Sequence, residues 1–172
     1  GDGIFESLRT YGGQPFALNL HLQRLENSAK VMKFENPDLD AVIRGVGEVI
    51  AANPCEPYGR LRITLLSDKN LLITHVPFEE SNSAIALTQN QWRQDSHRGI
   101  SGLKTISYAE NSVALRFARE RGFDDALFVN EEGNIVETAL ANILWLEKDV
   151  WFTTPLTSGC LPGVTRALLI EN

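Results

Sequence analysis

Ser101-Gly102-Leu103-Lys104-Thr105-Ile106-Ser107-Tyr108 is the stretch from which the rest of the chain is read. Lys104 is the only lysine between Lys69 and Lys148, and Leu103 and Ile106 give it an apolar setting. Ser107 and Glu110 have the spacing of a capping box, which predicts a helix start there. Val113, Leu115, Phe117 and Ala118 carry that helix, and Gly122 stops it after Arg119 and Arg121. Desolvation and the positive end of a helix both favour a neutral amine. A neutral amine can condense with an aldehyde. A solvated loop lysine fits the same residues, so the rest of the chain has to decide.

Upstream, Gly3 to Tyr11 reads as a strand, Gly12-Gly13 as a turn and Gln14 to Leu18 as a short return strand. Asn19 is the expected cap of a helix that buries Leu22, Leu25, Ala29 and Met32, with His21, Arg24 and Ser28 on another face. Asp38 to Ala52 reads as a second helix with Leu39, Val42, Ile43, Val46 and Ile50 inward. Arg60 to Ser67 alternates Arg60, Arg62 and Thr64 against Leu61, Ile63 and Leu65, a half-buried strand. Leu71 to Val76 returns antiparallel. Pro77 to Ser83 is a polar connection. The fold class is α+β, with an N-terminal domain over 1–80 and a second domain over 81–172.

In the second domain, strands are expected at Ala84 to Gln89, Asp125 to Val129, Ile135 to Thr138, Asn142 to Leu146 and Val150 to Thr153. Pro155 to Cys160 is a loop. Leu161-Pro162-Gly163-Val164-Thr165-Arg166 opens the last helix. That helix start has a glycine, a hydroxyl at Thr165 and no acidic residue in its first turn, so it offers N–H groups to an anion. A plain Pro-Gly helix start fits equally. Glu137 is a carboxylate in an apolar stretch, which demands a partner. An arginine of the same fold or a protonated ring nitrogen would serve. A Schiff-base lysine, a carboxylate for a pyridinium and a phosphate site are together what pyridoxal phosphate requires.

The chain has 172 residues and a net charge of −6, which argues against nucleic acid or an anionic membrane as the main partner. No apolar run reaches the roughly 18 residues of a membrane span. The cysteines, Cys55 and Cys160, have no metal-ligand spacing, and a reducing cytoplasm is the simplest expectation. No metal site is expected. The chain begins without Met, in mid-strand, and ends inside a helix, as a piece of a longer protein would.

Glu137-Thr-Ala-Leu-Ala-Asn142-Ile143, Phe152-Thr-Thr154 and Leu161-Pro-Gly163-Val164-Thr165-Arg166 resemble the signature of the class IV (fold type IV) pyridoxal-phosphate aminotransferases. Gly1-Asp-Gly-Ile-Phe5-Glu6-Ser7 and His21-Leu-Gln-Arg24-Leu25 resemble that family's N-terminal domain. The resemblance implies a small antiparallel α+β domain, a larger pseudo-barrel domain and a homodimer. It implies that Lys104 forms the Schiff base and that Glu137 faces the pyridine nitrogen. Arg24, Val164 and Thr165 would bind the phosphate, and Tyr108 would bond the ring hydroxyl. Phe5, Arg62 and Arg98 are candidate substrate contacts, since a guanidinium matches a carboxylate; Arg60 is a further candidate. Leu144 departs from the aromatic residue usual after the signature isoleucine. The implied activity is amino transfer between an amino acid and a 2-oxo acid. The alternatives are 4-amino-4-deoxychorismate lyase, which makes p-aminobenzoate and pyruvate, and a non-catalytic module that binds phosphate or the cofactor.

Overall fold

The computed structural model describes residues 1–80 and 83–171. Ser81 and Asn82, within the expected connection, and the final Asn172 lie outside the described residues. By contact the chain divides into two units, Gly1–Asn82 with Lys104–Ser107, and Ser83–Leu103 with Tyr108–Asn172.

The first unit contains β1 (Gly3–Tyr11), β2 (Gln14–Pro15), α1 (Leu18–Met32), α2 (Leu39–Ala52), β3 (Tyr58–Leu66) and β4 (Leu71–Pro77). The strands form one antiparallel sheet in the order β2-β1-β3-β4. β1 and β3 pair from Gly3↔Leu66 to Tyr11↔Tyr58. Side chains alternate along a strand, so this register fixes both faces at once. Ile4 and Leu8 share one face with Leu61, Ile63 and Leu65, and Leu22, Leu25 and Ala29 of α1 and Val42 and Val46 of α2 cover it. Phe5, Ser7, Arg62 and Thr64 fall on the other face.

Several local expectations change. The return strand stops at Pro15, because Ala17 takes a left-handed conformation and starts α1 itself. Asn19 therefore lies inside the helix rather than capping it. The face of α1 expected to be separate is also buried at His21 and Ser28. In α2, Asp38 caps as the pattern predicts, accepting from the Ala41 N–H at 3.0 Å. Ile43, expected inward, is exposed, since the sheet-facing stripe runs through Val42 and Val46.

The second unit contains β5 (Leu87–Gln89), α3 (Ala109–Glu120), β6 (Asp125–Val129), β7 (Ile135–Thr138), β8 (Leu144–Glu147), β9 (Val150–Thr153), a 3-10 turn at Leu156–Ser158 and α4 (Val164–Glu171). β5 pairs parallel to β6, and β6 pairs antiparallel to β7. β8 and β9 form a hairpin whose two turn residues, Lys148 and Asp149, both have positive φ, the geometry that matches strand twist. Ala114 and Ala118 of α3 pack with Ala126, Phe128, Val136, Ala139 and Cys160. The expected strands at 84–89 and 142–146 begin later, at Leu87 and Leu144.

The capping box before α3 does not form. The Ser107 hydroxyl instead donates to Gly1 O at 2.7 Å, Glu110 accepts from Arg98, and α3 starts at Tyr108 without a side-chain cap. Its end is as expected: Gly122 has φ 80°, and the Phe123 N–H returns to Ala118 O at 3.0 Å, as in a Schellman close. Among the described residues no helix is long and apolar enough to cross a membrane.

Candidate active site

Lys104 is placed by backbone pairing. The Phe5 N–H donates to Lys104 O and the Ile106 N–H donates to Gly3 O, both at 2.9 Å. Ile4 and Thr105 stand opposite each other in this antiparallel bridge. Gly3 permits the approach: a Cβ there would meet Ile106 Cδ1 and Leu66 Cδ2, each at 2.9 Å. Alternation then decides orientation. Thr105 turns inward with Ile4 and is buried, while Lys104 takes the face of Phe5.

On that face the Lys104 Nζ lies 4.6 Å from the centroid of the Phe5 ring, and the Arg62 Cζ lies 3.6 Å from it. Arg62 Nε donates to Thr64 Oγ1 at 3.2 Å. Three of the expected residues, Lys104, Phe5 and Arg62, are thus brought together. Two cationic side chains against one ring suit an anionic substrate, and each such contact is worth about 0.5–2 kcal/mol.

Arg24 belongs to the helix-covered side. Its Nε donates to Glu6 Oε1 at 2.9 Å and its Nη2 to Glu6 Oε2 at 2.6 Å. His21 Nδ1 lies 2.7 Å from the same Oε2. Glu6 is only 1% exposed. Burial by itself raises a carboxyl pKa, but the hydrogen bonds from Arg24 and His21 outweigh it and hold Glu6 below its usual value. Glu6 was not singled out from the sequence. Its signal was there: an acidic residue in the inward register of Ile4 and Leu8 must have partners.

The second unit carries the other expected residues. The Tyr108 hydroxyl donates to Ala139 O at 2.6 Å, and Asn111 Nδ2 donates to the same oxygen at 3.0 Å. With its proton spent there, the phenol oxygen offers an acceptor to a bound group. Glu137 lies between buried Val136 and Thr138, so the pleat turns it to the opposite side. Its Oε2 accepts from Asn142 Nδ2 and from the Leu161 N–H, both at 3.1 Å. Asn142 Nδ2 also donates to Leu161 O at 2.9 Å. Asn142 and Leu161 are the positioning groups that sequence reasoning did not single out.

α4 begins beside them. Its ladder opens with the Ala167 N–H to Gly163 O at 2.9 Å, so the N–H groups of 164–166 precede the first intrahelical bond. Its first turn holds no acidic residue, Val164 is buried and the Thr165 side chain is exposed. Arg166 Nη2 donates to Thr154 O at 2.8 Å, and Thr154 Oγ1 donates to Val136 O at 2.8 Å, which ties the helix start to β7. Arg98 is engaged with Glu110. Within the second unit alone, a carboxylate held by two N–H donors and a helix start with no acidic residue in its first turn fit the ring nitrogen and the phosphate of pyridoxal phosphate; within the first unit, Lys104 supplies an amine of the kind that binds its aldehyde.

A separate group of exposed residues, Asp95, His97 and Glu131, has its ligand atoms within 4.8 Å of one another. Hydrogen bonds from the Ser96 hydroxyl and backbone lower the Glu131 pKa to about 2.

Residues 3–172 match the family model for class IV amino-transferases, and the chain belongs to that family. Its members use pyridoxal phosphate. The aminodeoxychorismate lyase of Bacillus subtilis strain 168 is 26% identical over 195 residues, which is all of this chain and 64% of that protein. Branched-chain-amino-acid aminotransferase-like protein 2 of Arabidopsis thaliana is 25% identical over 191 residues, 99% of this chain and 34% of its own. The chain therefore spans between about a third and two thirds of these relatives. Among solved structures, a candidate 4-amino-4-deoxychorismate lyase from Legionella pneumophila superposes with a TM-score of 0.94 at 27% identity, covering 99% of this chain and 68% of that one. The branched-chain aminotransferase of Thermoproteus uzoniensis gives 0.90 at 26%, covering 99% and 64%. The fold is that of the fold type IV pyridoxal-phosphate enzymes.

Proposed function

We propose that the protein is an aminotransferase that moves an amino group between an amino acid and a 2-oxo acid. The observation that carries this is the register that sets Lys104 on the sheet face of Phe5 and Arg62. When bound, pyridoxal phosphate supplies an electron sink for the pair left behind as the substrate loses its α-proton. Lys104 is the residue that would hold the cofactor, through its Nζ, and the same amine, when free, would take and return the substrate α-proton. Glu137, held by Asn142 and the Leu161 N–H, keeps a proton at the ring nitrogen.

Arg24, the Val164 N–H and the Thr165 hydroxyl bind the phosphate in this reading. Tyr108 accepts from the ring hydroxyl. Arg62 receives the substrate carboxylate and Phe5 shapes its binding surface, with Arg98 a further candidate. The assembly is a homodimer, and the buried thiols of Cys55 and Cys160 suit a reducing cytoplasm.

The second reading, 4-amino-4-deoxychorismate lyase, is favoured by the Bacillus subtilis and Legionella pneumophila proteins. It uses the same residues. Purified protein loaded with pyridoxal phosphate should convert one class of D- or L-amino acid to its oxo acid, with a 2-oxo acid as acceptor. Release of p-aminobenzoate from aminodeoxychorismate, without any amino-acid turnover, would transfer the assignment to the lyase. Neither activity in protein that holds the cofactor would leave a binding module.

A further inference from the structure

We infer that Glu6 and His21 are positioning residues that set the plane of the Arg24 guanidinium for an anionic phosphate. The inference rests on the reading of Arg24 as a phosphate ligand. His21 and Arg24 are three apart on α1 and so share a face of the helix. Both reach one carboxylate. Arg24 uses Nε and Nη2 in a fork, at 2.9 and 2.6 Å, which fixes the plane of the group and turns the Nη1 edge away from Glu6. A single bond would leave the guanidinium free to rotate about it; a fork does not.

His21 locks the other half of the arrangement. Carboxylate oxygens only accept in the ionised form, so Nδ1, 2.7 Å from Glu6 Oε2, is the donor and carries a proton. Glu6 Oε2 thereby accepts from both Arg24 and His21, which restrains rotation of the carboxylate itself. Glu6 is 1% exposed, His21 7%, and the Arg24 side chain 12%. Burial strengthens these bonds and keeps water from replacing them. The carboxylate weakens the net positive charge offered to an anion. Its benefit is orientation: the guanidinium arrives at the ligand already ordered. For groups that orient metal ligands by the same kind of hydrogen bond, removal costs about 10–100-fold in affinity, and a loss of that order is expected here.

The test compares the dissociation constants of pyridoxal phosphate and pyridoxal, followed by absorbance on the purified protein and its variants. The two ligands differ only in the phosphate, so their ratio reports phosphate recognition and is insensitive to a general loss of stability. Glu6→Gln presents an NH2 to donors that need an acceptor, and it should lower the preference for pyridoxal phosphate by about 10-fold or more. His21→Leu should lower it by a smaller factor, and His21→Asn, whose Nδ2 can stand near the imidazole Nδ1, should retain it. If Glu6→Gln does not fold, the two His21 variants decide the question. Equal losses for both ligands, or none, in the Glu6 and His21 variants would overturn the inference if Arg24→Gln itself reduces the preference. An Arg24→Gln protein with unchanged preference would instead remove the underlying reading of Arg24.

Discussion

Lys104→Ala is expected to lower turnover by at least about 10³-fold, the scale of a missing covalent anchor and proton carrier together. The fold should survive. The pairing that holds this segment to β1 is made by backbone groups, Lys104 O with the Phe5 N–H and the Ile106 N–H with Gly3 O. An alanine keeps all of it. The substitution removes the approach of Nζ to the Phe5 ring, worth about 0.5–1 kcal/mol at a half-buried position. Steady-state kinetics with the best amino donor, alongside a thermal melt, separate the two effects. Turnover within about tenfold of the parent in a well-folded variant would exclude Lys104 from the chemistry.

Gly163→Ala should have the next largest effect, through a residue that touches no substrate. A Cβ at this position would stand 1.9 Å from Asn142 Oδ1 and 3.1 Å from its Cγ. An alanine has no rotamer with which to relieve that, so Asn142 must swing away. It then gives up its bonds to Glu137 Oε2 and Leu161 O. Glu137 keeps the Leu161 N–H, and a carboxylate with one of these two donors gone is less well aimed at a ring nitrogen. Overpacking of this kind costs about 1–3 kcal/mol. Losing a part-buried hydrogen bond to a charged carboxylate costs about 1.5–3 kcal/mol, or about 10–100-fold in cofactor affinity. Adding Asn142→Ala to Gly163→Ala should recover stability, since the clash is gone, without recovering affinity. Unchanged affinity in Gly163→Ala would show that Asn142 does not support Glu137.

Much of this was legible in the chain. Periodicity located both helices of the first unit and the alternation of Arg60, Arg62 and Thr64 against Leu61, Ile63 and Leu65, because a sheet covered on one side by helices writes its faces directly into the sequence. Lys104 stood out by isolation. What periodicity could not supply was the identity of long-range partners. Ser107 has a capping-box spacing, yet its hydroxyl goes to Gly1, at the far end of the first unit's sequence. Glu6 reads as one more polar residue in a strand until β1 is registered against β3, which turns it inward toward His21 and Arg24. Asn142 was visible as part of a motif, but its close approach to Gly163 depends on a turn that no local pattern encodes. The early end of β2 follows from a left-handed Ala17, a conformation that propensity assigns to glycine or asparagine before alanine.

Chemical trapping tests the role of Lys104 most directly. Purified protein incubated with pyridoxal phosphate would be reduced with borohydride, digested and mapped by mass spectrometry. The expected result is a stoichiometric pyridoxyl mass on the peptide that contains Lys104, and none on peptides carrying Lys30, Lys33, Lys69 or Lys148. Cofactor trapped at one of those lysines, or cofactor bound but not trapped at all, would contradict the assignment of Lys104 as the Schiff-base lysine.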